Sequence, residues 1–276
     1  MQIRTPAAAG MFYPGEENQL KQVIHDCYFH EYGPGEQSID EKNIVGVICP
    51  HAGYMYSGPI ACHSLKSIST KDYELFILIG PNHWGLGCNV STMKDCQWNT
   101  PFGNVDVDTD AVNELKMNSD LIELDFFAHT KEHSLEVQIP LIQQTFQNKF
   151  KILPIIMINQ DKKTSIQLGK SIAKISKEKN SMIIGSSDFT HYEPNEFAHK
   201  QDKALIDTII DMNIDEFYRV LEEKQISACG YGAIASTMIA CKELGATKGK
   251  LLKYATSGDV SGEKTSVVGY GSIVFN

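Results

Sequence analysis

Hydrophobic positions along this chain follow two rhythms. Short unbroken apolar runs rich in β-branched residues occupy 44–49, 75–79 and 181–185, and runs of this kind are the mark of buried strands. Elsewhere apolar residues recur at helical spacing, as at Leu20, Val23, Ile24 and Cys27, predicting a helix over 17–29. The same spacing predicts helices over 59–69, with Pro59 in the first turn, and over 109–118, with Thr109 as N-cap. The stripe Leu135, Ile139, Ile142 and Phe146 predicts an amphipathic helix over 134–146 despite Pro140. Further helices are expected over 164–175, running into a basic end at 170–179, and over 197–212, 215–223 and 233–241. Strands are expected over 151–157, 250–257 and 265–275, and Pro154 argues that the first of these is an edge strand or carries a bulge. The stretch 85–103 reads as loop, with Trp84, Trp98 and Phe102 as apolar anchors near a site, while 121–126 fits no single element. Residues 31–43 read as a polar connection. The opening segment 4–15 is apolar enough to pack on the body, with Arg4 facing an anion or a carboxylate; a plain cover strand fits it equally well.

Strands alternating with helices, without a repeat or a low-complexity linker, predict one α/β domain over 1–276. Its central sheet would be mostly parallel or mixed, with helices on both faces. A chain of 276 residues with 42% hydrophobic and 21% charged residues has enough apolar material for one large core. Its formal charge of −9 argues against a general nucleic-acid surface, which needs clustered positive charge. The apolar runs are too short to span a membrane, and MQIRTPAAAG lacks the apolar core of a signal peptide. Seven cysteines without CxxC spacing read as thiols of a reducing, cytoplasmic protein rather than a disulfide framework.

The chemistry gathers where the strands stop. Pro50 ends the first run and His51 follows it; Gly80-Pro81-Asn82-His83 ends the second. In open α/β sheets ligands collect at the C-terminal strand ends, so two imidazoles in such positions point to one crevice. They are 32 residues apart (83 − 51), and their meeting depends on their strands being neighbours, as sequential strands usually are. Asp188 and His191 follow the third run. A fourth cluster, AHTKEHSLE, offers two geometries. A helix starting near Lys131 would put Glu132 and Glu136 on one face with His133 beside them; one capped at Ser134 would leave His133 in the loop mouth. A single strand-end histidine is ordinarily a hydrogen-bonding residue; His25 and His30 read as surface or packing residues of their helix, and Cys62 and His63 as packing residues of theirs. Four such clusters together point to a metal or catalytic pocket. Cys229, just before Gly230 and a helix start, would gain thiolate character from the positive helix end.

The motifs RTPAAAGMFYP, ICPHAGYMYSG, LIGPNHWG, EHSLEVQIP, SSDFTHY and SACGYGA resemble, across essentially the whole chain, those of the Memo family. These are homologues of an animal cell-motility mediator, known in microbes as protein B of a three-part system with a radical-SAM protein. The family is similar in fold to the class III extradiol ring-cleaving dioxygenases. The resemblance implies a metal site of His51, His83 and Cys229, with Asp188 and His191 lining the same pocket and His133, Glu136, Tyr54 and Trp84 bordering it. It implies one metal ion, Fe(II) or copper foremost and zinc next, and an association with a radical-SAM protein. Ring-cleaving relatives hold Fe(II) with two histidines and a carboxylate; here Cys229 stands where that carboxylate is expected, and a thiolate favours copper(I) or zinc.

Three functions fit these residues. One is a metal-dependent oxidoreductase of dioxygenase type, in which His191, oriented by Asp188, takes the proton of a phenolic hydroxyl. Another is a non-enzymatic module holding a peptide or small molecule in the same pocket. The third is a zinc hydrolase, with Glu136 or His191 activating water at an open position.

Overall fold

In the computed structural model, which describes residues 2–36 and 42–276, the three apolar runs lie side by side in one sheet. Residues 37–41 of the expected polar connection, and Met1, lie outside the described residues. The chain begins with β1 (Gln2–Arg4), α1 (Glu17–Phe29), β2 (Gly46–Cys49), α2 (Tyr54–Ile68) and β3 (Leu75–Pro81). Then come β4 (Val90–Thr92), β5 (Cys96–Thr100), β6 (Gly103–Val107), α3 (Thr109–Asn118), β7 (Glu123–Leu124), the single turn α4 (Phe126–His129) and α5 (Gln138–Thr145). Next are β8 (Lys151–Met157), α6 (Lys162–Glu178), β9 (Ser181–Ser186), β10 (His191–Glu193), α7 (Asn195–Ile210), α8 (Ile214–Glu223) and α9 (Tyr231–Glu243). The chain closes with β11 (Gly249–Thr256), α10 (Ser257–Ser261) and β12 (Val267–Phe275).

The main path of the sheet runs β1-β5-β6-β8-β3-β9-β2-β12-β10. Its centre, β8-β3-β9-β2, is parallel, and β12 pairs antiparallel with β2. Alternation along β2 explains the two helical layers. Val47 and Cys49 belong to the side of α2, where the Cys49 thiol reaches the Ala61 carbonyl. Ile48 packs instead with Ile234, Ala235, Met238 and Cys241 of α9. Gly185 lets α9 approach closely, because a Cβ there would stand 2.5 Å from Thr237 Oγ1.

The strands carrying His51 and His83 are not neighbours, against the expectation from chain order: β9 lies between β2 and β3. All three end level, with Cys49 opposite Ser186 and Ile79 opposite Gly185, so their following segments still converge. Pro154 sits in an interior strand rather than at an edge. On one side of β8, β6 pairs at Lys151 and Ile152 and β4 pairs at Ile155 to Met157, so Pro154 falls in the gap where the neighbour changes. There its missing N–H costs no ladder bond on that side.

Several boundaries move for similar local reasons. Helix α2 starts at Tyr54, whose N–H donates to the Phe12 carbonyl, and Pro59 lies inside it rather than in its first turn. Asp108, not Thr109, caps α3 by accepting from the Ala111 N–H. Residues 134–137 form turns, and α5 begins only at Gln138. The stretch 85–103 contains β4 and β5, and 121–126 divides into β7 and the start of α4.

The opening segment is pinned, and Arg4 does face a carboxylate. Its guanidinium donates to Glu136 Oε2 at 2.5 Å, to the His129 carbonyl at 2.8 Å and to the Glu132 carbonyl at 2.6 Å. Glu136 also accepts from the Ala7 and Ala8 N–H groups and from the Tyr13 hydroxyl. Trp98, 4.1 Å beneath the Arg4 guanidinium and beside His129, is buried in this strap rather than in the strand-end cluster. Among the described residues no helix is long and apolar enough to cross a membrane.

Candidate metal centre

His51 stands just past the end of β2 and is almost fully buried. Its N–H donates to Asp188 Oδ1 at 2.8 Å, which fixes the turn. Its Nδ1 lies 2.9 Å from Ser186 Oγ. The Ser186 hydroxyl gives its own proton to the Ser134 carbonyl, and its oxygen also accepts from the Gln138 amide. Nδ1 of His51 must therefore be the donor, leaving the Nε2 lone pair facing Cys229 Sγ at 3.2 Å. Burial, reinforced by the imidazoles of His83, His133 and His191, holds His51 well below the usual imidazole range, so the ring is neutral.

His83, past the end of β3, is tied twice to Glu132: N–H to Oε2 at 2.6 Å and Nδ1 to Oε1 at 2.9 Å. The His133 Nδ1 lies 3.4 Å from the same Oε1. The His83 and His133 rings stack at 4.6 Å, and His51 meets them edge-on at 5.2 and 5.5 Å. Phe12, from the opening strap, lies 4.3 Å from His133. One ligand atom from each of His51, His83 and His133 lies within 4.8 Å of the others. Burial pushes His133 down to about 4. Burial works to raise the Glu132 carboxyl, but hydrogen bonding and charge from His83, the His133 charge and the Ser134 N–H outweigh it and hold it at about 2.

The third strand end contributes Asp188, which burial pushes up to about 6 against the opposing charge of His191 and the His51 N–H. Asp188 holds the His51 backbone; the His191 ring is oriented by two carbonyls instead. Its Nδ1 lies 2.7 Å from Phe189 O and 2.9 Å from Ser227 O, so Nδ1 carries the proton and Nε2 remains basic. Cys229 precedes Gly230, the N-cap of α9, and its sulfur accepts from the Asp188 N–H at 3.4 Å. Burial and the Asp188 charge push its thiol up, overriding the helix-end effect expected to favour thiolate.

The bordering residues diverge. Glu136 is fully buried, with its oxygens given to Arg4 and the strap. Tyr54 is buried with its hydroxyl on the Val137 carbonyl, and Trp84 is 55% exposed with Lys131 over its ring. Neither helix start expected for 128–136 is seen: the chain is not helical from 130 to 137, Val137 rather than Ser134 precedes α5, and His133 lies in the connection before the turns. Sequence reasoning missed Ser186, Gln138 and Phe12, and saw Glu132 only as a helix-face residue; its place directly before His133 was the available signal.

These donors fit a metal ion. Three imidazoles converge, with a sulfur beside His51, and the hydrogen bonds of the His51 and His83 Nδ1 atoms turn their Nε2 atoms away from those partners, a set that suits zinc, iron or copper.

A family model described as Memo-like protein matches residues 4–274. A MEMO1 family protein of Nitrosopumilus maritimus is 57% identical over 99% of both chains. Another, from Methanocaldococcus jannaschii, is 46% identical over 99% of this chain and 98% of its own. Among solved structures, an uncharacterized Escherichia coli K12 protein shares the fold, with a TM-score of 0.59 at 10% identity, covering 85% of this chain and all of that one.

Proposed function

The chain belongs to the Memo family, and on that premise we propose that it is a metal-dependent oxidoreductase of the dioxygenase type, acting on a small molecule with an ionisable hydroxyl. The observation that carries this reading is the convergence of His51, His83 and His133, with Cys229 Sγ 3.2 Å from His51 Nε2. His51, His83 and His133 would hold the ion, and Cys229, beside His51 but outside the group of converging donors, would be a further ligand. When bound, the ion supplies Lewis acidity and a position for substrate. An imidazole and thiolate set favours copper(I) or zinc over an all-oxygen site, and Fe(II) is the metal of the ring-cleaving chemistry.

The protein's own residues supply the rest. His191 presents a basic Nε2 because two carbonyls hold its Nδ1 proton, so it is suited to take a hydroxyl proton from substrate. Asp188 fixes the His51 backbone and places a negative charge beside His191. Glu136 is committed to the strap, which weighs against the zinc-hydrolase reading that uses it as base. A radical-SAM partner fits the family context.

Metal content of protein purified from its native host, followed by anaerobic refilling and oxygen-uptake assays on catechols, tests the proposal. Iron or copper content with uptake that falls in His191→Ala while metal is retained supports it. Metal-free protein that still binds a peptide or small molecule would favour a non-enzymatic binding module.

A further inference from the structure

Glu132 is buried, 1% exposed, at the point where the His83 and His133 segments meet. Its Oε1 accepts from His83 Nδ1 at 2.9 Å, His133 N at 2.9 Å and Ser134 N at 2.8 Å; its Oε2 accepts from His83 N at 2.6 Å. His133 Nδ1 stands 3.4 Å from Oε1. Every contact on this carboxylate is therefore with nitrogen, and each backbone partner is an obligate donor. Behind it, the Glu132 carbonyl is held by Arg4 Nη2 at 2.6 Å, which anchors the residue to the opening strap. With both oxygens so engaged, Glu132 is not itself among the atoms that converge as metal donors.

The geometry points to Glu132 as the positioning residue of the metal centre: one carboxylate oxygen holds the Nδ1 proton of His83 and the backbone N–H of His133, so that the His83 ring presents a bare Nε2 to a divalent ion with the His133 backbone fixed beside it. A carboxylate accepts only, so an imidazole nitrogen against it must carry its proton, and the neutral ring then has its lone pair on the other nitrogen. A carboxylate behind a ligating histidine also fixes ring orientation and raises its basicity. The same oxygen thus sets the ring of His83 and the backbone of His133, the residue whose ring stacks on it. His51 is set separately, through Ser186. Chemically the site selects a borderline d-block cation through nitrogen, and rejects a hard ion such as magnesium, which takes oxygen ligands.

This inference rests on the metal-binding reading for its purpose but not for its first test. Long-range ¹H–¹⁵N correlation spectra of histidine-labelled, metal-free wild-type protein above neutral pH report the tautomers directly. The expected result is a proton on Nδ1 and a bare Nε2 for His83; a proton on its Nε2 overturns the assignment. The second test is Glu132→Gln, whose amide sets an N–H₂ against a backbone N–H. Titrating zinc into folded variant and wild type should show affinity weakened roughly 10- to 100-fold, together with mixed tautomers. Wild-type affinity and tautomers in the variant would overturn it. Should Glu132→Gln fail to fold, the wild-type spectrum still decides. Wild-type protein that shows the expected tautomers yet binds no zinc, iron or copper would reject the metal reading while leaving the orientation by Glu132 standing.

Discussion

Cys229 is the side chain on which the choice of metal turns. Its sulfur is close to His51 Nε2, but burial keeps the thiol protonated, so binding of a metal through it must release a proton. Zinc affinity should therefore rise with pH, and Cys229→Ala should make that dependence shallower; parallel slopes for the two proteins would exclude the thiolate as ligand. Cys229→Asp should shift the preference from zinc towards Fe(II), read by competition between the two ions. A different residue governs acid stability. His129 is fully buried, and burial, with the Arg4 charge second, pushes it from 6.5 down to about 3. In the unfolded chain this group binds its proton near 6.5, in the folded protein only near 3. Its contribution is thus intact above 6.5 and is lost as pH falls towards 3, at up to about 1.4 kcal/mol per pH unit. Denaturant titrations across that window should show His129→Leu with proton uptake on unfolding smaller by about one. An unchanged slope would contradict the burial account.

Elements are joined here by buried polar links as well as apolar contact. The opening segment would be a loose tail but for Glu136, which gathers Arg4, two backbone N–H groups and the Tyr13 hydroxyl in the interior. Removing one partner of a buried ion pair leaves the other uncompensated, at a cost of roughly 3–5 kcal/mol. Glu136→Ala should therefore lower stability by that amount and speed amide exchange over residues 5–14, which hydrogen-exchange mass spectrometry reads. Exchange unchanged in that stretch would show that the strap is held by something else. Across the sheet, a methyl group on Gly185 would sit 2.8 Å from Ile48 Cδ1 and 2.5 Å from Thr237 Oγ1. Gly185→Ala should cost about 1–3 kcal/mol in urea unfolding, since a close-packed core yields only by moving a strand or helix.

For the molecule as a whole, the sheet was legible because buried parallel strands write themselves as continuous apolar runs, and the punctuation by Pro50, Pro81 and Asp188 marked where they stop. Strand order was not legible. Nothing in residues 44–49 or 75–79 states that β9 is threaded between them, because pairing choice rests on helix packing at long range. Likewise Pro154 reads as an edge signal until the change of neighbour from β6 to β4 is seen. His51, His83, Asp188 and His191 were recognisable as strand-end residues, whereas the entry of His133 into their cluster depends on turns over 134–137 that helical periodicity hides. The central claim is that these histidines form one metal site, and calorimetric titration of zinc, Fe(II) and copper into metal-free wild type, His51→Ala and His83→Ala tests it most directly. One ion per chain in wild type, with affinity lost or sharply weakened in both variants while their far-ultraviolet circular dichroism is unchanged, is the result expected. Affinity equal to wild type in both variants would contradict it.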